Sequence, residues 1–365
     1  MKWIDEFRNP HLAQALLTQI RERAGQPIRL MEFCGGHTHA ILRFGIRELL
    51  PSALEMASGP GCPVCVTSST DLDRAIAMAR IPKVILTTFG DMARVPGNDG
   101  SLQSARAEGA DVRIVYSPRD AVRVAQKTPT RPVIFLGVGF ETTAPGVAAS
   151  ILEAQEQHLD NYFVYSLHKL TPPAMRAILA AAEVKLSGIL GPGHVTTVIG
   201  TEPWKFLSAQ YHIPIAVAGF EPLDILRAVS MLVDQIHQNQ VRVDNAYSRS
   251  VHAEGNTTAL TIMNRVFEVC DAEWRGMGMI PQSGMTPRNE YAAFDASKTF
   301  ETTATPVSEP SGCRCGEVLR GIFLPTQCPL FRRTCNPENP VGPCMVSAEG
   351  ACAAYYQFGD QPCED

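Results

Sequence analysis

Between residues 28 and about 220, short apolar runs alternate with longer amphipathic stretches, and this alternation limits the chain to few architectures. The runs at 28–33, 84–88, 112–116, 133–136, 163–166, 188–190 and 215–218 read as strands, with a weaker one at 54–57. Helical periodicity occupies 71–79, 144–157, 173–182 and 223–237. Short, largely apolar strands separated by helices call for parallel sheets covered on both faces, so the fold class is α/β.

Many of the strands run into glycine-bearing turns that carry a thiol or an ionisable group. Phe33-Cys34-Gly35-Gly36 follows the first strand and Gly59-Pro60-Gly61-Cys62 the weak one. Phe89-Gly90-Asp91, Gly139-Phe140-Glu141, Gly191-Pro192-Gly193-His194 and Gly219-Phe220-Glu221 follow later strands. Open α/β sheets bind ligands at the carboxyl ends of their strands. Asp91, Glu141, His194 and Glu221 are therefore candidates for lining a site, although each could equally cap a helix or form a turn.

The tripeptide GPG occurs at 59–61 and 191–193, and GFE at 139–141 and 219–221. These repeats fit two similar α/β lobes, expected at 1–130 and 131–255, facing each other across a cleft. Beyond 255 the pattern changes. Residues 281–310 are rich in Ser, Thr, Pro and Gly and read as loop, and a cysteine-rich region closes a third segment, 256–365.

Net charge is −5 across 365 residues, which gives no reason to expect a nucleic-acid or anionic-membrane partner. No apolar run approaches the roughly 18 residues of a membrane span. Asp5 and Glu6 stand where a signal peptide needs its apolar stretch, so a cytoplasmic protein is expected. In that reducing compartment, clustered cysteines point to metal or redox chemistry before structural disulfides.

Seven of the eleven cysteines lie between Cys313 and Cys363. The core of this set reads Cys315-x12-Cys328-x6-Cys335-x16-Cys352, in a region without histidine. All-thiolate ligation suits an iron–sulfur cluster or an all-cysteine zinc site, and structural zinc usually takes its ligands as two close pairs. The wide gaps favour a cluster, and Cys328-Pro329 resembles the Cys-Pro that closes ferredoxin-type ligand runs. Spacing leaves the choice of four open: Cys313 could replace Cys315, and Cys344 or Cys363 could replace Cys352.

Cys62-Pro63-Val64-Cys65 can close a disulfide or chelate a metal. Cys34 ends a strand, and the helical pattern after Gly35-Gly36 opens with His37. A helix N-terminus and a nearby imidazole would favour its thiolate, while a plain core cysteine is the alternative.

The segments 31–41 (MEFCGGHTHAI) and 59–65 (GPGCPVC) closely resemble the HypD family of hydrogenase maturation proteins. So do Phe89-Gly90-Asp91, Arg94-Val95-Pro96-Gly97, Gly139-Phe140-Glu141-Thr142-Thr143 and Val217-Ala218-Gly219-Phe220-Glu221-Pro222. Glu273-Trp274-Arg275-Gly276, Cys315-Gly316-Glu317-Val318 and Glu349-Gly350-Ala351-Cys352 extend the resemblance along nearly the whole chain.

The resemblance implies two α/β domains plus a region bearing a [4Fe-4S] cluster on Cys315, Cys328, Cys335 and Cys352. It implies an assembly scaffold, rather than a turnover enzyme, for the Fe(CN)2CO unit of [NiFe]-hydrogenase. The partners would be a HypC-type chaperone and a HypE-type cyanide donor, with the hydrogenase large subunit served indirectly. Cys34 would hold the nascent iron with His37 beside it. Cys62 and Cys65 would be a nearby dithiol that ligates iron or passes electrons. Cys270, Cys313, Cys344 and Cys363 would be incidental. The competing readings are a stand-alone oxidoreductase using the dithiol and a cluster, and a zinc-stabilised binding protein.

Overall fold

The computed structural model describes residues 5–98, 100–302 and 311–359. Cys363 and the stretch 303–310 of the expected loop lie outside them. No helix among the described residues is long and apolar enough to cross a membrane.

Two parallel sheets form the α/β body. The first contains β1 (Ile28–Glu32), β2 (Leu54–Ser58), β7 (Gly188–Pro192), β8 (Ile215–Ala218) and β9 (Val243–Asn245), in the order β2-β1-β7-β8-β9. The second contains β3 (Ile85–Thr88), β4 (Asp111–Ile114), β5 (Val133–Gly137) and β6 (Tyr162–Ser166), in the order β4-β3-β5-β6. Central strands such as β5, β7 and β8 are buried along their whole length. Their uninterrupted apolar runs follow from that two-sided burial.

The sheets do not follow the division expected near residue 130. The chain leaves the first sheet after β2, builds the whole second sheet, and returns with β7, so a boundary at 130 falls inside the second sheet. Both GPG segments consequently belong to the first sheet, one just after β2 and the other at the end of β7, the two neighbours of β1. The GFE turns do fall one per sheet, after β5 and β8.

A second correction concerns residues 281–287. They lie within β11 (Gly278–Pro287), which pairs antiparallel with β10 (Phe267–Trp274). The burial pattern of β11 is irregular, and a bulge at Cys270/Ala272 breaks the register, so no clean period of two marks this hairpin in the sequence. The bridge between Trp274 and Thr67 attaches the hairpin to the body, while the Trp274 indole N–H donates to Ser283 Oγ within the hairpin at 2.8 Å.

The cysteine-rich tail is mostly short helices and turns, and it docks on the first sheet. Its last helix, Ala351–Phe358, packs Ala354 and Tyr355 against Leu42 of the helix Gly35–Arg43. Arg47 fixes the contact by donating to the Tyr355 hydroxyl at 3.0 Å. One continuous buried cluster joins Phe33, Cys62 and Cys65 to Cys315, Cys344 and Cys352.

Candidate functional site around Cys34

Cys34 is the extended residue between β1 and the helix Gly35–Arg43, where it occupies the N-cap position. Its thiol is buried, with the amides of Gly36 and His37 near enough to act on it, although neither caps the sulfur and the His37 amide donates to the Cys34 carbonyl at 2.8 Å. Those amides favour the thiolate. Burial opposes it, and the charges of Glu349 and Glu32 add to the burial, so the thiol is pushed up to about 12. A proton stays on this sulfur until a cation replaces it.

Beneath Cys34 lies Glu32, a fully buried carboxyl that the sequence reading passed over. It accepts from the Cys34 amide at 3.0 Å and from the Thr38 hydroxyl. Burial raises it to about 8 despite these donors. Its signal was present in the sequence: a lone acid inside the apolar run 28–33 must be buried with partners of its own.

The GPGCPVC turn is clamped onto the same spot. Gly59 donates to the Glu32 carbonyl at 2.8 Å, and Gly35 donates to the Gly61 carbonyl at 3.0 Å. A Cβ on Gly61 would overlap the Cys34 backbone, so only glycine fits there. Immediately beyond it, Cys62 and Cys65 are joined in a disulfide with Cα atoms 5.2 Å apart. Both sulfur-bearing residues are almost completely buried.

His37 is buried three residues after Cys34. Its Nε2 lies 3.1 Å from the carbonyl oxygens of both Ala218 and Gly219. Carbonyls only accept, so Nε2 carries the proton and Nδ1 is left as a lone pair, buried and without a partner among the described residues. Burial pushes the imidazole down to about 4, so it is neutral at physiological pH. Phe220 stacks on its ring at 4.7 Å, and His194 stacks on the far face of Phe220 at 3.8 Å. Glu221, next in the chain, is engaged at the surface by Arg8.

The tail reaches Cys34 through Glu349, also missed as a site residue. A Cβ on Gly35 would collide with the Glu349 carbonyl and Cβ. Partial burial and the charge of Asp91 raise the Glu349 carboxyl. Asp91 lies near enough to Glu349 for its charge to act on that carboxyl. Arg94, on the helix that carries Asp91, donates to the Val346 carbonyl at 3.0 Å and ties that helix to the tail.

Glu141 has a different setting. Its carboxylate accepts from the Thr171 amide at 2.8 Å and from the Thr171 hydroxyl, at the start of the helix Thr171–Ala181. Of the two roles open to it, these contacts are those of a cap.

The tail thiols gather in one region. Cys315, Cys335, Cys344 and Cys352 are buried, with Cys313 and Cys328 half-buried. Cys315 and Cys344 have sulfurs 2.6 Å apart. Cys313 is within charge range of Cys315, Cys352 and Cys328, and Cys335 within that of Cys352 and Cys328. Cys313 and Cys344 thus stand among the expected set rather than apart from it. Burial and mutual repulsion raise Cys313 to about 12, and contact with Cys315 and Cys352 raises Cys344. Only a cationic centre would reverse those shifts. Among the described residues no three donors form a ready chelate for a single ion. A donor set of thiols without imidazole fits an iron–sulfur cluster in its chemistry.

A family model described as HypD, "Hydrogenase formation hypA family", matches residues 11–359. The chain is 46% identical to the Hydrogenase maturation factor HypD of Cupriavidus necator, over 98% of this chain and 97% of that one. It is also 46% identical to the Hydrogenase maturation factor HypD of Escherichia coli, over the full length of both. Identity is 48% to the Hydrogenase expression/formation protein HupD of Azotobacter chroococcum, over 99% of this chain and 98% of the relative. The chain belongs to the HypD family of hydrogenase maturation factors.

Proposed function

We propose that this protein serves hydrogenase maturation as a scaffold that holds iron on Cys34 while the Fe(CN)2CO unit is assembled. One observation carries the reading. A buried thiol sits at a helix N-terminus where three otherwise separate segments, the GPGCPVC turn, the Gly219-Phe220 turn and the Glu349-Gly350 tail, close around it.

The chemistry follows from that enclosure. Low-spin iron carrying cyanide and carbon monoxide is a soft cargo, and a thiolate is its matching ligand. Iron entering the site displaces the thiol proton that burial otherwise retains. The helix N-terminus beside Cys34, with the Gly36 amide near the thiol, suits anionic ligands on the metal. Nδ1 of His37, held as a lone pair, accepts a hydrogen bond or binds a metal, and it supplies no positive charge that would compete with iron.

Cys315, Cys328, Cys335 and Cys352 would hold a [4Fe-4S] cluster, with Cys313 and Cys344 close enough to take part. When bound, that centre supplies one-electron redox chemistry. Cys62 and Cys65 lie between the tail and Cys34: the Pro343 carbonyl, next to Cys344, is 4.0 Å from the Cys65 sulfur. A HypC-type chaperone would bring a second ligand to the iron and a HypE-type protein the cyanides.

Burial of the disulfide argues against the stand-alone oxidoreductase. Cys62 is 2% exposed and Cys65 0%, so an external dithiol has no sulfur to attack. Iron analysis of the complex purified anaerobically with its HypC-type partner tests the scaffold. The wild type and Cys270→Ala retain iron beyond that of the cluster, and Cys34→Ala loses it. Equal iron in all three would refute the assignment.

A further inference from the structure

A cavity of 480 Å3 opens between the carboxyl end of β6 and the hairpin β10–β11, and shares no lining residue with the Cys34 loops or the tail. Lys169 lines it with only 2% of its surface exposed. Its Nζ donates to the Glu273 carbonyl at 2.7 Å and lies 5.8 Å from the centre of the Trp274 ring. Burial lowers the Lys169 pKa, and Asp71 and Glu273 oppose this only through longer-range charge. Asp71 is already engaged by Arg74 at 3.7 Å and by the Tyr165 hydroxyl at 3.3 Å. An ammonium taken out of water with one neutral acceptor, one aromatic face and, among the described residues, no contacting counter-ion is costly. A cavity beside it gives room for the missing anion.

We propose that this cavity binds a small organic monocarboxylate whose carboxylate pairs with Lys169. Its volume is in the range of small-molecule sites, and the carboxyl end of a parallel strand is where such sites form. The lining sets the charge of the ligand. Lys169 and Arg74 are positive, while Asp71, Asp271 and Glu273 are negative. The lining therefore carries one net negative charge, so an anion binds only by placing a single charge directly on Lys169, and a dianion such as phosphate meets stronger repulsion. The acidic groups would accept from hydroxyl substituents on the ligand. The site does not depend on the iron-scaffold reading, since none of its residues belongs to the Cys34 region.

Trp274 lies against Lys169 and gives an optical readout. The full-length protein is titrated with sodium lactate or acetate at constant ionic strength, with tryptophan emission and thermal midpoint followed together. A saturable response to a carboxylate, with none to phosphate, is expected. Lys169→Met should weaken the apparent affinity by about tenfold or more, the loss of one charge-assisted hydrogen bond. Cys270→Phe narrows the same cavity from β10 with Lys169 in place, and should weaken binding as well. It decides alone if Lys169→Met fails to fold. No saturable response to either carboxylate, an equal response to phosphate, or unchanged affinity in the folded variants overturns the proposal.

Discussion

Gly61 lies so close to the backbone of Cys34 that a single methyl group between them would overlap the Cys34 amide and Cα. The disulfide-bearing turn and the thiol-bearing strand end are therefore one unit, held by backbone contact rather than by side chains. Gly61→Ala should push the two apart. Overpacking of this kind costs about 1–3 kcal/mol. Gly146→Ala is the control: its Cβ meets nothing within 4 Å inside the helix Ala144–Glu156, so a stabilisation of about 1 kcal/mol is expected. Denaturant unfolding of both variants checks the pair, and equal stabilities would show that the contact is not tight.

Glu141 makes stability depend on pH in an identifiable direction. Burial raises its carboxyl from 4.5 to about 7, so the folded protein holds this proton where the unfolded chain has released it. The contribution is full below pH 4.5 and is lost as pH rises through about 7. The shift corresponds to on the order of 3 kcal/mol. Glu141→Gln should remove this decline while preserving an acceptor for the Thr171 amide. Thermal midpoints from pH 5 to 7.5 would show a flatter profile in the variant, and parallel profiles would contradict the assignment.

Much of the α/β body was legible because strands buried on both faces write their burial directly into the sequence. β5 and β8 lie at the predicted positions for that reason. The pairing of strands was not legible. Nothing local tells β1 to take β7 as a neighbour 158 residues away, as the Arg29 amide to Ser187 bond illustrates, so the two sheets were expected in series rather than interleaved. At the site, Cys34, His37, Cys62 and Cys65 could be named from their types and turns. Glu32, two residues before Cys34, carried its signal as a lone acid in an apolar strand. Glu349 could not be read as a partner of Cys34, because its role depends on a tertiary approach in which its backbone meets Gly35.

The tail thiols should separate by function when replaced singly. Cys328→Ala, Cys335→Ala and Cys352→Ala are each expected to abolish the visible absorption and the acid-labile sulfide of the anaerobically prepared protein. Cys270→Ala, remote from the tail on β10, should leave both intact. A colourless wild-type protein containing zinc and no iron would exclude the cluster.

The central claim is that Cys34 carries the iron being dressed with its diatomic ligands. An infrared spectrum of the protein, isolated anaerobically with the proposed HypC-type partner, addresses it most directly. Cyanide and carbonyl stretching bands are predicted for the wild type and for Cys270→Ala, and their disappearance for Cys34→Ala with the cluster absorption unchanged. Bands that persist in Cys34→Ala would contradict the account.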